Sequence, residues 1–200
     1  MTQILFIQAS PRAKSIAHNL ADQLLCRLQL LYPDATVTTR DLIDGIPLVT
    51  DASIAAMYTP ADQRTAAQQD LLKTADTLID EITSKSDILV IATPMHNWGM
   101  PAALKAWFDW VVQARQTFRY LPDGSGMEGL LQNRKTYLIL VTGGTKLHAA
   151  MDFMTPHILF LLNTMGIKDI EIVAVDGTGL PNAAEIIQAA RDQIEGLRAT

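Results

Sequence analysis

The chain has 200 residues, of which 48% are hydrophobic and 18% are charged, so it holds enough apolar material for the core of one α/β domain, or at most two small ones. The net charge of −5 argues against a nucleic-acid-binding surface, because phosphate binding needs clustered Lys and Arg side chains. The single cysteine, Cys26, excludes an internal disulfide and a zinc site built on cysteines, and its apolar surroundings favour a buried position.

The N-terminus gives no sign of export. It begins with the strand-like run QILFIQAS rather than with the basic and apolar regions of a signal peptide. No apolar run approaches the roughly 18 residues that a membrane helix needs. We therefore expect a cytoplasmic protein with no membrane partner.

Short apolar strands alternate with helical patterns along the whole chain. The run ILFIQA is continuous and branched, as expected for a strand buried on both faces, and leucines then follow Ile16 at every fourth position, which is one stripe of a helix. The predicted strands lie at 4–9, 35–42, 87–92, 135–142 and 169–175. Helices are predicted from about Ser15, from Pro60 behind an N-cap at Thr59 to about Ser84, from Pro101, from about Met151 to Met165, and from Pro181.

Five strands that are each followed by a helix predict an α/β fold with a doubly wound, five-stranded parallel sheet and helices on both faces. We expect the strand order 2-1-3-4-5, in which the ligand site lies beyond the carboxyl ends of the first and third strands. No linker or repeat divides the chain, so residues 1–200 are predicted to form one domain. Two excursions, 43–59 and 120–134, are too long for tight turns and are candidates for functional loops.

The loop after the first strand, ASPRAKS, has the residues of an anion site. Ser15 stands where the next helix begins, and the backbone N–H groups of a helix start attract anions. The hydroxyls of Ser10 and Ser15 can add hydrogen bonds to a phosphate, and Arg12 and Lys14 favour an anion nearby. The alternative is that Ser15 is only an N-cap.

The loop after the third strand lies between two prolines. Pro94 stops the strand and Pro101 presets the next helix, so residues 95–100 are expected to form a stiff loop. Such a loop can turn backbone groups and an Asn side chain towards a planar heterocycle, while Met and Trp pack on its faces and Gly permits close approach. The alternative is an ordinary loop whose Trp covers the core. The candidate contact residues are Pro94, Met95, His96, Asn97, Trp98 and Gly99.

The loop after the fourth strand, Thr142, Gly143, Gly144 and Thr145, carries two glycines that either admit a ligand to the backbone or merely shape a turn. A second glycine pattern, GSGMEG at 124–129, matches the dinucleotide fingerprint by its letters alone. It lacks the strand before it and the helix after it that this fingerprint requires. The four histidines show no metal-binding spacing, so no metal is expected.

The segment PMHNWGMPAALKAWFDWVVQARQTFRY, residues 94–120, resembles the signature of the FMN-dependent NADH azoreductase and quinone reductase family. The resemblance extends to the first loop, to FRYLPDGSGMEGLL and to the glycine pair, and so covers nearly the whole chain. It implies a flavodoxin-like fold, noncovalently bound FMN, and a homodimer with the active site at the subunit interface. It also implies ping-pong hydride transfer from NADH or NADPH through FMN to quinones or azo compounds.

The resemblance assigns roles by position. Ser10 and the turn of Ser15, Ile16 and Ala17 would hold the phosphate. Met95, His96, Asn97 and Trp98 would contact the isoalloxazine ring, and residues 142–145 would contact its outer edge. Phe118 and Tyr120 would lie near the substrate. Some residues depart from the family pattern. The first loop is one residue shorter, Ala17 replaces a common serine, His96 and Trp98 replace Tyr and Phe, and the glycine loop lacks a preceding Ser-Arg pair.

No essential acid–base residue is expected, since the redox chemistry belongs to the cofactor. A hydrogen bond from His96 to a quinone oxygen is an additional hypothesis. Three other functions stay open from the sequence: a flavodoxin-type electron carrier, a flavin reductase that releases reduced FMN, and a flavin-free binding protein on the same scaffold. The physiological acceptor and the choice between NADH and NADPH are open as well.

Overall fold

The fold is seen in a computed structural model, which describes residues 1–12 and 14–199. The strands are β1 (Gln3–Gln8), β2 (Thr36–Asp41), β3 (Ile88–Pro94), β4 (Phe118–Tyr120), β5 (Met127–Gly129), β6 (Lys135–Thr142) and β7 (Ile170–Asp176). Five of them pair in parallel in the order β2-β1-β3-β6-β7, while β4 and β5 form a separate antiparallel hairpin. The predicted order 2-1-3-4-5 is therefore confirmed.

Helices cover both faces of the sheet. They are α1 (Ile16–Leu31), α2 (Asp51–Tyr58), α3 (Ala66–Ser84), α4 (Ala102–Val111), α5 (Met154–Met165) and α6 (Ala183–Glu195). Side chains of a strand point to alternate faces, and β1 shows the division. Leu5 and Ile7 join a core with α3, α4 and α5, whereas Ile4 and Phe6 join a second core with α1 and α6.

The predicted helix start at Pro60 is wrong, because a stronger cap lies five residues later. Thr65 accepts a hydrogen bond from the backbone N–H of Gln68, and the Gln68 side chain accepts one from the backbone N–H of Thr65. Thr59 instead ends α2, a short helix inside the excursion 43–59. The predicted burial of Cys26 is also wrong: it is exposed, beside the buried stripe of α1.

The second excursion folds into the β4–β5 hairpin. Its second strand packs against the end of α5, where a Cβ on Gly129 would lie 2.2 Å from the backbone nitrogen of Gly166. Because α5 ends just before β7 begins, this contact lies at the amino edge of the sheet. The GSGMEG pattern, 124–129, therefore occupies the hairpin turn and its second strand rather than a strand-to-helix loop.

Candidate functional site

Three loops meet at the carboxyl edge of the sheet, as predicted. They follow β1, β3 and β6, which are neighbours in the sheet and run in the same direction. Backbone hydrogen bonds join the strand ends: the N–H of Ala9 donates to the carbonyl of Ala92 at 3.1 Å, and the N–H of Met95 donates to the carbonyl of Val141 at 2.7 Å. The geometry thus forms one rim from segments that are far apart in sequence.

The first loop leads into a capped helix start. The Ser15 hydroxyl accepts a hydrogen bond of 3.0 Å from the backbone N–H of His18, so Ser15 is the N-cap of α1. The first N–H groups of an α-helix have no partner inside the helix, and the cap takes only that of His18. Those of Ile16 and Ala17 remain at the helix start, where the dipole favours an anion. Ser15 can therefore cap the helix and still border an anion site.

Ser10 and Arg12 complete this loop with one buried and one exposed side chain. The Ser10 hydroxyl, only 4% exposed, accepts a weak hydrogen bond of 3.4 Å from the backbone N–H of Arg12. A hydroxyl in that role keeps its own hydrogen available as a donor. The hydrogen-bond donors that this loop offers to an anion are thus backbone N–H groups and the Ser10 hydroxyl, while the Arg12 side chain is exposed to solvent.

The second loop is a tight hairpin. His96 and Gly99 pair through two backbone hydrogen bonds of 2.9 and 3.0 Å. The two residues between them, Asn97 and Trp98, have φ angles of 48° and 65°. Positive φ at both central positions is typical of a type I′ turn. The loop is therefore stiffened by its own hydrogen bonds as well as by the flanking prolines.

Trp98 is strained and exposed at the tip of this hairpin. Left-handed backbone is uncommon for bulky residues and costs about 1–2 kcal/mol per residue. The Trp98 ring does not offset this by packing inside, because the residue is 48% exposed, whereas Met95 is half-buried against the core. The alternative that Trp98 covers the core is therefore wrong. Strain that the chain's own packing does not explain is a feature of functional sites.

The third loop presents glycines that the fold itself does not require. Neither Gly143 nor Gly144 has a positive φ, and a Cβ on either would meet no atom of the described residues within 4 Å. The rest of the loop is fixed: the Thr142 hydroxyl donates to the carbonyl of Thr145 at 2.5 Å, and the carbonyl of Gly143 accepts the N–H of Gly179 at 2.7 Å. The glycine pair thus leaves open space in front of a rigid backbone.

Asp152, which the sequence analysis missed, anchors the end of this loop. It is 4% exposed, and its carboxylate accepts hydrogen bonds from the backbone N–H groups of His148 (2.8 Å), Met154 (3.1 Å) and Thr155 (2.9 Å). Burial alone would raise the pKa of Asp152, but these hydrogen bonds outweigh it and hold the pKa below its ordinary value. An acidic residue just before a helix is a capping signal, and it explains why α5 begins at Met154 rather than at Met151.

Two further hydrogen bonds connect the loops. The carboxylate of Asp176, at the end of β7, accepts the N–H of Leu147 at 3.0 Å. The N–H of Phe153 donates to the carbonyl of Trp98 at 3.2 Å, which ties the second loop to the third. The rim is therefore one connected structure, and a displacement of Asp152 would be transmitted to Trp98.

Phe118 and Tyr120 lie elsewhere in the same chain. They belong to the β4–β5 hairpin beyond the end of α4, whose ten residues span about 15 Å. Phe118 is buried and Tyr120 is 68% exposed. Both line a groove of about 820 Å³ between α2, the end of α4 and the hairpin. The other lining residues are Val49, Ile54, Met57, Tyr58, Asp109, Val112, Gln113, Ala114, Arg115 and Arg119.

Within residues 1–12 and 14–199, no group of three or more His, Cys, Asp or Glu side chains is arranged to hold a metal ion. None of the helices in the same part of the chain is long and apolar enough to cross a bilayer.

Comparison with known proteins places the chain among flavin-dependent relatives. A family model for the flavodoxin-like fold matches residues 2–197. A protein of Hahella chejuensis named FMN-dependent NADH:quinone oxidoreductase 1 is 43% identical over 195 residues, which are 97% of this chain and 94% of that protein. An FMN-dependent NADH:quinone oxidoreductase of Burkholderia pseudomallei is 39% identical over 198 residues, covering 97% and 98% of the two chains.

Solved structures agree with this fold. An azoreductase from Bacillus anthracis superimposes with a TM-score of 0.88 at 23% identity, covering 98% of this chain and 97% of that one. An FMN-dependent NADH-azoreductase from the same species, in complex with FMN, gives a TM-score of 0.86 at 24% identity, covering 98% and 96%. From the matched family model and its full-length relatives, the chain belongs to the flavodoxin-like family that includes the FMN-dependent NADH:quinone oxidoreductases.

Proposed function

We propose that the chain is an FMN-dependent NADH oxidoreductase that reduces quinones or azo compounds, with residues 1–200 forming a single flavodoxin-like domain. The observation that carries this proposal is the 43% identity, over 97% of the chain, to an FMN-dependent NADH:quinone oxidoreductase. The rim of three loops supports it independently, because it combines an anion-binding helix start with an open space bordered by rigid backbone. A cytoplasmic location is part of the same proposal.

The first loop would hold the phosphate of FMN. The backbone N–H groups of Ile16 and Ala17 point out of the start of α1, and the hydroxyls of Ser10 and Ser15 lie at the same loop. Arg12 adds positive charge from the solvent side. This donor set suits a phosphate dianion, which only accepts hydrogen bonds.

The second and third loops would hold the flat ring. Trp98, exposed at the hairpin tip, offers an aromatic face, and Gly143 and Gly144 leave room for a ring to reach the backbone. The ring contacts proposed from the second loop are Pro94, Met95, His96, Asn97, Trp98 and Gly99. Those proposed from the third loop are Thr142, Gly143, Gly144 and Thr145.

When bound at these loops, FMN would supply the hydride-transfer chemistry between the nicotinamide and the acceptor. The chain's residues would bind and orient the reactants, and backbone N–H groups of the rigid loops would be available to stabilise negative charge on a bound ring. His96 is exposed beside Asn97 and can donate a hydrogen bond to a quinone oxygen. Unchanged quinone turnover in His96→Phe would remove this role.

In a homodimer, Phe118 and Tyr120 of one chain could lie next to the three loops of the other chain. Within one chain these residues lie far along α4 from the three loops, so a substrate that contacts both regions requires two chains. Exposed apolar side chains next to the rim, Phe153 and Phe160 on the α5 side, provide surface that a second copy could cover. The groove of about 820 Å³ is within the size range of small-molecule sites.

Anaerobic stopped-flow spectroscopy tests the proposal. Adding NADH to the FMN-loaded protein is expected to bleach the flavin absorbance, and adding a benzoquinone is expected to restore it. Failure of either half-reaction with small molecules would contradict the assignment. Recovery only with a protein partner would indicate an electron carrier, loss of reduced flavin to the solvent would indicate a flavin reductase, and a colourless chain that does not take up FMN would indicate a flavin-free binding protein.

A further inference from the structure

A small cavity adjoins the groove between α2, the end of α4 and the β4–β5 hairpin. Its volume is about 190 Å³, whereas that of the groove is about 820 Å³, and Met57, Ala114 and Arg115 line both. Sites for small molecules usually measure about 300–1,000 Å³. The groove is therefore large enough for a ring system, while the small cavity suits a substituent of a ligand that is bound next to it.

Three charged residues of the described chain line the groove, and two of them already have a partner of opposite charge. Asp109 forms an ion pair with Lys105, and Arg119 forms one with Glu128. The third, Arg115, has no ion pair within residues 1–12 and 14–199. The charge that the groove can offer to a ligand is therefore one guanidinium, at its border with the small cavity.

The small cavity adds a second arginine. Arg64 and Arg115 line it, and none of the Asp and Glu residues in the described part of the chain does. Arg64 is half-buried, and its Nε donates to the carbonyl of Thr59 at 3.0 Å. This bond positions the guanidinium and leaves its two terminal NH₂ groups, which have no acceptor among the described residues, able to donate. Two guanidinium groups with no carboxylate beside them attract an anion.

A rigid turn carries Arg115. Its N–H donates to the carbonyl of Phe118 at 2.6 Å. The buried Thr117 hydroxyl donates to the carbonyl of Val111 at 2.6 Å and accepts the N–H of Gln113 at 3.0 Å. Within this turn Arg115 has a φ of 72°, a left-handed conformation that Gly or Asn adopts at lower cost. The turn itself does not favour arginine, so the residue is better explained by the charge that it brings to the two cavities.

We propose that Arg64 and Arg115 form a subsite for the acidic substituent of an aromatic acceptor, so that the chain prefers quinones or azo compounds that carry a sulfonate or a carboxylate. The ring lies in the groove, which Tyr58 and Tyr120 line, and the anionic group lies in the small cavity between the two guanidinium groups. The inference rests on the proposed function, because it requires that the acceptor bind in the groove.

Anaerobic steady-state kinetics of the FMN-loaded protein at pH 7, with saturating NADH, tests the subsite. The acceptors are anthraquinone-2-sulfonate and anthraquinone-2-sulfonamide, which have similar shapes and differ in charge. The selectivity is the kcat/KM for the sulfonate divided by the kcat/KM for the sulfonamide. Comparing this ratio between wild type and variants removes the difference in intrinsic reactivity between the two compounds.

Arg115→Asn removes the charge and keeps the turn, because Asn tolerates left-handed backbone. It is expected to lower the selectivity about twofold to fivefold, the range of an exposed ion pair. Arg64→Gln is expected to lower it about tenfold, since Arg64 is less exposed and its guanidinium is held in place. Arg115→Lys keeps the charge and should retain most of the selectivity.

Arg191→Asn is the matched control for the loss of one positive charge. Arg191 is exposed on α6, which packs on the opposite face of the sheet from α4, so its replacement should leave the selectivity unchanged. Raising the ionic strength is expected to reduce the selectivity more in wild type than in Arg115→Asn, because salt screens exposed charges.

The outcomes separate the inference from the function on which it rests. Unchanged selectivity in Arg115→Asn and Arg64→Gln would overturn the inference, and so would an equal loss in Arg191→Asn. A higher KM for NADH with unchanged selectivity would assign the arginines to the phosphates of the donor and overturn it as well. If Arg64→Gln does not fold, Arg115→Asn decides alone. A wild-type chain that reduces neither compound would overturn the proposed function, and the inference with it.

Discussion

The carboxylate of Asp152 holds the start of α5 and the loop before it, so Asp152→Asn is expected to lower the free energy of unfolding by about 3 kcal/mol at neutral pH. One carboxylate oxygen accepts the N–H groups of Met154 and Thr155, and the other accepts that of His148. An Asn side chain replaces one of these oxygens with an NH₂ group. Leaving the amide of His148 unpaired costs about 1–3 kcal/mol, and losing the negative charge at the helix start costs about 1 kcal/mol more.

The effect should depend on pH in a defined direction. The folded chain holds the pKa of Asp152 below its ordinary value, because hydrogen bonds to the carboxylate outweigh the effect of burial. A lowered pKa stabilises the folded state above the pKa of the unfolded chain, about 3.9, and this contribution is lost as the pH falls through the folded pKa. The stability difference between wild type and Asp152→Asn should therefore shrink as the pH falls below about 4.

Urea unfolding at fixed protein concentration, followed by circular dichroism at pH 7 and pH 3, measures both quantities. Asp176→Asn is a graded comparison, because Asp176 accepts one backbone N–H in this loop, that of Leu147, and a loss of about 1 kcal/mol is expected. A loss below about 0.5 kcal/mol for Asp152→Asn at pH 7, or an equal loss at pH 3, would refute the anchoring role.

Two further predictions address the hairpin tip and the amino edge. Trp98→Gly creates an Asn-Gly pair suited to the type I′ turn and relieves the strain of a Trp at a φ of 65°, so the Tm of the flavin-free chain should not fall. The affinity for FMN should drop about tenfold or more, because the stacking of the indole on the ring is lost. A fall of both the Tm and the affinity would contradict this prediction. Arg134, which is buried and donates to the carbonyls of Ile82 and Ser86, closes the end of α3. Arg134→Met should lower the free energy of unfolding by about 2–4 kcal/mol in urea titrations and Arg134→Lys by less, and equal losses would argue against the two-carbonyl contact.

The strand alternation could be predicted because each central strand is buried on both faces and so has an unbroken apolar run. The helix starts were harder. Thr59–Pro60 and Thr65 both carry a local helix-start signal, and the stronger cap at Thr65 is used because the residues before Thr59 form α2, whose Ser53 and Ala56 are buried by tertiary packing. Once α2 occupies residues 51–58, Thr59 ends a helix and Pro60 continues in extended backbone. Local propensity alone did not reveal α2, because the contacts that bury it are distant in sequence.

For the site, the sequence indicated the three loops but not what fixes them. Polar residues after buried strands are visible in the letters, and parallel strands bring them to one edge. The hydrogen bond from Phe153 to Trp98 joins residues 55 positions apart, and the contact of Gln8 with His18 depends on how α1 lies on β1. Likewise, the distance of Phe118 from the loops follows from the direction of α4. These are properties of packing that spacing in the sequence does not contain.

The carboxyl rim is where the chain departs most from local stability rules. Trp98 is held in left-handed backbone, Gly143 and Gly144 have no steric need to be glycine, and Gln8 leaves a buried oxygen without a partner among the described residues. Such departures weaken the ligand-free fold, and they recur at functional sites because binding energy can offset them. Trp98 and the two glycines belong to loops of one rim, where a ligand with a flat ring could use both the exposed indole and the open space. A ligand that binds only the folded state increases the free energy of unfolding, in proportion to the logarithm of its concentration divided by its Kd when the ligand is in excess. The flavin that the site is proposed to hold would therefore also stabilise the folded chain.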